Sequence, residues 1–76
     1  MGDVQRINRL SRQIIEIDAT IKALNEKKID LQLEMDNSEG DDFLDLFQEI
    51  AEVDQVIWDL KVEKQRLLVM LQQSNI

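Results

Sequence analysis

Cysteine, histidine, proline and tyrosine are all missing from these 76 residues, and glycine occurs only at positions 2 and 40. Each absence closes a route. Without cysteine no disulfide can staple the fold. Without cysteine and histidine neither a zinc site of the usual kind nor a Ser-His or Cys-His nucleophile can be assembled. Without proline nothing interrupts a long helix. No stretch approaches the ~18 apolar residues of a membrane span, and the residues Met1 to Arg6 lack the apolar core of a secretory signal, so a cytoplasmic protein is expected.

Bases are scarce as well: nine Lys and Arg against sixteen Asp and Glu leave a formal charge of −7. Duplex binding relies on clustered cations that neutralise phosphates, so this balance argues against nucleic acid as a partner. The charges are also unevenly placed. Arg6, Arg9 and Arg12 form a basic cluster, whereas the nine acids Asp36, Glu39, Asp41, Asp42, Asp45, Glu49, Glu52, Asp54 and Asp59 follow one another with no Lys or Arg between them.

What the chain does contain is a seam. Ile7, Leu10, Ile14, Ile17, Ile21, Leu24, Lys28, Leu31 and Met35 are spaced alternately three and four residues apart, the a/d repeat of a coiled-coil helix. The pattern recurs as Phe43, Leu46, Ile50, Val53, Ile57, Leu60, Lys64, Leu67 and Leu71. Turn formers cluster only at Asn37, Ser38, Glu39 and Gly40, where Gly40 alone enters a left-handed conformation without penalty. The expected fold is therefore all-α: a two-helix antiparallel coiled-coil hairpin, one domain over 1–76, with a helix over about 3–36, a turn at 37–41 and a helix over about 42–72. Asp3 is a candidate N-cap for the first helix, and Asp41 or Asp42 for the second.

Antiparallel pairing matches seam to seam at Met35 with Leu46, Leu31 with Ile50, Leu24 with Ile57, Ile21 with Leu60, Ile14 with Leu67 and Leu10 with Leu71. Lys28 then faces Val53 and Lys64 faces Ile17. Their stems are expected to cover apolar surface while the ammonium groups reach water. On the flanks the register sets Asp18 beside Lys61 and Glu34 beside Glu49. Exposed charge contacts are worth only ~0–1 kcal/mol each, so apolar packing decides the register.

Apolar residues remain after the seam is filled. Val4, Ile15 and Ile29, with Leu44, Phe47, Ala51, Trp58 and Leu68, fall on the flank that carries the e and b positions of both helices. The opposite flank is mainly charged. A patch containing Phe47 and Trp58 has the composition of an interface, and a chain this short buries too little surface alone to be comfortably stable. Self-association is expected, as a homodimer or a higher oligomer, the run from Leu67 to Leu71 being apolar right around the helix. The dimer expected is a four-helix bundle, isologous through this flank and with the loops at opposite ends, so that the three arginines of one copy lie near Asp41, Asp45, Glu49 and Glu52 of the other.

Catalysis is not expected. Carboxylate pairs are plentiful, but acid/base work needs a cleft that shifts one pKa, and a solvated hairpin offers none. The acidic stretch from Asp36 to Phe47 does not fit an EF-hand either, since Gly40 comes one place early and Phe47 stands where the bidentate Glu belongs. No cofactor or metal is implied. The string Leu10, Arg12, Ile14, Ile17, Asp18, Ile21, Leu24, Glu26 resembles in spacing the first helix of all-helical chorismate mutases; it spans under a third of the chain, has no third helix after it, and carries no active-site residue over. In general shape the hairpin is similar to Rop-type hairpin dimers. Their RNA-binding face is basic, whereas only Arg6, Arg9 and Arg12 could contribute here.

Two functions follow as expectations. The first is a protein-binding hairpin that acts as a small regulator, assembly factor or chaperone-like adaptor through Ile15, Ile29, Leu44, Phe47, Ala51, Trp58 and Leu68. The second is an acidic inhibitor in which Asp41, Asp42, Asp45, Glu49 and Glu52 imitate a phosphate backbone and occupy a basic nucleic-acid-binding enzyme.

Overall fold

An uninterrupted a/d seam with no proline specifies two long helices, and the computed structural model, which describes residues 2–74, consists of α1 (Gly2–Asp36) and α2 (Asp41–Ser74) folded back on each other as a hairpin. The principal extents are 59 × 15 × 12 Å. A helix as long as α1 measures about 52 Å at 1.5 Å per residue, so each helix runs nearly the length of the rod. The radius of gyration is 17.3 Å, against about 11 Å for a compact domain of this length. The rod is one helix thick in its narrowest direction.

The seam residues account for almost all of the shielding. Leu10 and Leu31 on α1, with Ile50, Val53, Ile57 and Leu67 on α2, form the buried core. Leu31, Ile50, Val53 and Ile57 make one continuous cluster, with Ile21, Leu24, Met35 and Leu46 packed against it. Seam residues of both helices thus share one cluster, in keeping with the register that the spacing predicts. Phe43 departs from it. Its ring is 40% exposed, because the residue that the register sets opposite it is Ser38, in the loop beyond the end of α1.

The ends of the helices differ in small ways from the expectation. The first helix starts at Gly2, which leaves Asp3 inside the first turn rather than at its cap, and α2 extends to Ser74. Neither last turn holds a base. The carbonyls there are satisfied by neutral side chains instead: Asn37 Nδ2 donates to Leu33 O at 3.0 Å and Ser38 Oγ to Glu34 O at 2.7 Å. The amides of Asn37 and Ser38 close tighter bonds to the carbonyls of Glu34 and Met35, at 3.0 and 3.1 Å. Gly40 then reverses the chain at φ +65°, the one positive φ among the described residues. It also fills the N-cap position that the aspartates were expected to hold, its carbonyl accepting from the Leu44 amide at 3.3 Å. Asp41 and Asp42 fall in the first turn, where the helix dipole favours carboxylates.

The two helices are related to each other by more than the seam. Leu10, Ile14, Glu16, Asp18, Ile21, Leu24, Lys28 and Leu31 reappear unchanged 36 residues later as Leu46, Ile50, Glu52, Asp54, Ile57, Leu60, Lys64 and Leu67. The contacts repeat too. Lys28 Nζ lies 2.7 Å from Asp54 Oδ1, and Lys64 Nζ lies 2.7 Å from Asp18 Oδ1. A local two-fold axis between the helices, at the level of Lys22 and Trp58, carries one clasp onto the other.

Candidate protein-binding flank

The heptad frame gives the rod two unlike flanks. Helices that run antiparallel bring their e positions to one side and their g positions to the other. On the e side lie both clasps. Lys28 and Lys64 spring from the seam with side chains only 30% and 34% exposed, and each ammonium ends on a carboxylate at an e position of the opposite helix. The stems cover the core as expected, but the heads meet aspartates rather than water alone. Asp18 is taken by Lys64, not by Lys61 as the sequence register suggested: a lysine that starts in the seam reaches the facing e position more directly than one that starts on the flank.

Around the clasps the e and b positions are apolar and open. Trp58 is 63% exposed and Phe47 60%, and Ile15, Ile29 and Leu44 are similarly bare. Ala51 is exposed and Leu68 half-buried. Every interface residue expected from the sequence therefore lies on one side of the rod. Trp58 occupies its middle, beside the local axis. The apolar surface does not stop there, since Leu33, Val62 and Val69 are also exposed along the outer backs of the helices, and Val56 on the g side. Leu33 and Val62, at outward f positions, escape a reading that follows only the flanks of the seam.

The g side is a polar surface with two shallow grooves. At the open end Arg6, Arg9 and Arg66 surround a floor of Leu10, Leu67 and Met70, with Gln13 and Glu63 at the edge. Arg66 also forks onto Glu63, with Nη2 at 2.6 and 2.7 Å from the two carboxylate oxygens. Arg12 does not line this groove, since it sits at an f position on the back of α1. Arg66 takes its place in the basic cluster, a contribution visible only once α2 is laid against α1. At the loop end Glu34, Asp42 and Asp45 line the second groove with Ser38 and Leu46.

The acidic run is interrupted in space though not in sequence. Glu49 lies 3.9 Å from Lys27 Nζ, and Asp54 belongs to a clasp. Asp41 and Glu52 are exposed. The unbalanced negative charge therefore contracts toward the loop. The described residues contain no cluster of carboxylates arranged to hold a metal ion and no helix long and apolar enough to cross a membrane. Comparison with family models, with curated proteins and with solved structures finds no match to this chain.

Proposed function

We propose that this hairpin is a non-catalytic protein-binding element of the cytoplasm, a small regulator, assembly factor or chaperone-like adaptor that presents helical side chains to a protein partner. One observation carries the reading: Trp58 and Phe47 stand more than half exposed on a single flank with Ile15, Ile29 and Leu44 beside them. Aromatic anchors grouped with aliphatic side chains are what the centres of protein interfaces are made of. The flank is framed by ion pairs whose stems are fixed in the core, which gives it a pre-set shape. Over a phosphate-mimicking inhibitor, this reading is favoured by the placement of Lys27 and Lys28 against Glu49 and Asp54. Those contacts break up the row of charge that a mimic would need.

The test is affinity capture with the tagged hairpin. The expected result is one stoichiometric protein retained by the wild type and lost with Trp58→Ala, whose side chain lies largely outside the core. Retention by the variant at wild-type level would sink the reading. Neutralising Asp41, Asp42, Asp45 and Glu49 together is expected to leave capture intact. A partner lost in that variant, and retained by the wild type with steep salt dependence, would point to the mimic.

A further inference from the structure

We propose that the occupant of the e/b flank is a second copy of this chain, docked through the same flank with its loop at the opposite end. The proposal rests on the reading of this flank as a protein-binding site and names its partner. Area is the first support. A compact monomer of 8.9 kDa exposes about 4,800 Å² by the general scaling of surface with mass, whereas this rod exposes 5998 Å². The excess is about 1,200 Å² per chain relative to that scaling. Two copies that covered it would bury about 2,400 Å² between them, within the range of obligate homodimers.

Charge is the second support, and it selects the flank. A chain of net charge −7 repels its own copies almost everywhere. The e/b flank is the exception. The charged groups that reach it are four lysines, Lys22, Lys28, Lys61 and Lys64, and three aspartates, Asp18, Asp36 and Asp54, so it carries +1 while the rest of the chain carries −8. Four of those seven are already joined in the clasps. A copy of the same flank therefore meets a nearly neutral apolar surface, and the acidic surfaces of both chains turn outward. A different acidic or basic protein would gain nothing from this neutrality, whereas a self-complementary dimer requires it.

Polarity about the local two-fold is set by charge at the ends. Turning one hairpin by half a revolution about that axis exchanges α1 with α2 and lays repeat upon repeat. The seam and the clasps coincide after that turn but the open side chains of the flank do not, Trp58 falling on Lys22, Phe47 on Ser11 and Ile29 on Gln65, so the two polarities differ in what meets across the flank as well as at the ends. The loop end holds Asp36, Glu39, Asp41, Asp42 and Asp45 with no base among them. The open end holds Arg6, Arg9, Arg12 and Arg66 with Asp3 and Glu63. Loops apart places unlike ends together at both extremities of the bundle. Trp58, near the axis, then stacks against the middle of the partner's flank, where a central anchor has most effect.

The chain has no cysteine, so Glu39→Cys supplies a single attachment point in the loop. Sedimentation at micromolar concentration is expected to give a dimer, and spin labels at position 39 are expected to lie about 50 Å apart, twice the rise from the axis level to the loop. A label separation under about 20 Å would overturn the polarity. Trp58→Ala is expected to raise the dimer dissociation constant at least thirtyfold with helicity kept, and Val56→Ala on the g side to change it less than about threefold. Should Trp58→Ala lose helicity, Ala51→Arg repeats the test by adding charge at an exposed position of the flank. A well-folded wild-type monomer would overturn the proposal outright. The reading of the flank as a protein site would then survive only if Trp58→Ala still released a captured partner, so the two failures are told apart.

Discussion

At Gly40 the strain is purely that of the backbone. Its φ is +65°, and a Cβ added there would meet nothing within 4 Å. A side chain of any size has room; what it lacks is a comfortable torsion. Gly40→Val is therefore expected to cost ~1–2 kcal/mol in denaturant unfolding, because a β-branched residue is strained in the left-handed region. Gly40→Asn should cost only a small part of that, because asparagine visits the region readily. Equal losses for both would mean that the loop is limited by space after all. The seam lysines give a second prediction. Their clasps are about half open to water on the aspartate side, so each ion pair is worth only ~0–1 kcal/mol. The stems matter more. Lys28→Met keeps the stem and is expected to be neutral or mildly stabilising in the same measurement, whereas Lys28→Ala should destabilise by removing the cover over Val53. These roles were half legible beforehand. That the lysines lie in the seam follows from the spacing; that Asp54 and Asp18 receive them does not, because a long side chain on a seam position can reach several flank positions and only the packed geometry chooses among them.

Along each helix, the alternation of three and four is a strong signal because every other property of the chain agrees with it. No proline or internal glycine competes, and slipping the seam by one residue would rotate all of its members by about 100°. Helix identity, the turn and the facing register were readable for that reason. The helix ends were less so. Asp3 is a good cap by type, but the chain continues in helical geometry to Gly2, and Gly40 caps α2 because its positive φ already turns the chain there. The core predicts where damage concentrates. Ile57 is only 5% exposed and sits in the middle of the continuous cluster, so Ile57→Ala is expected to cost ~2–4 kcal/mol. Phe43→Ala should cost well under half as much despite the larger ring, since Phe43 lies past the end of α1. Thermal melts of the two variants followed by circular dichroism would compare them directly, and the reverse order would place Phe43 in the core.

For the whole molecule, the apolar flank was legible as a set of residues and not as a surface. Heptad letters group Ile15, Ile29, Leu44, Phe47, Ala51, Trp58 and Leu68 and put Leu33, Val62 and Val69 at outward f positions, but they do not reveal that Arg66 joins Arg6 and Arg9 in the basic groove. That groove depends on how the two helices lie against each other, which a single-helix pattern does not contain. The spacing of the repeat has a further consequence. Thirty-six residues is ten turns of an α-helix at 3.6 residues each, so if the loop at 37–40 became helical, the seams of α1 and α2 would line up on one face of a single unbroken helix. Two such straightened chains, laid head to foot, could remake every seam contact that each hairpin now makes with itself. Opening and exchange would then be opposed chiefly by the loop, and the hairpin is one residue's backbone preference away from a form twice as long. Replacing both Glu39 and Gly40 with alanine is expected to release that form in concentrated solution, seen by small-angle scattering as a particle about 110 Å long, in place of the 59 Å rod.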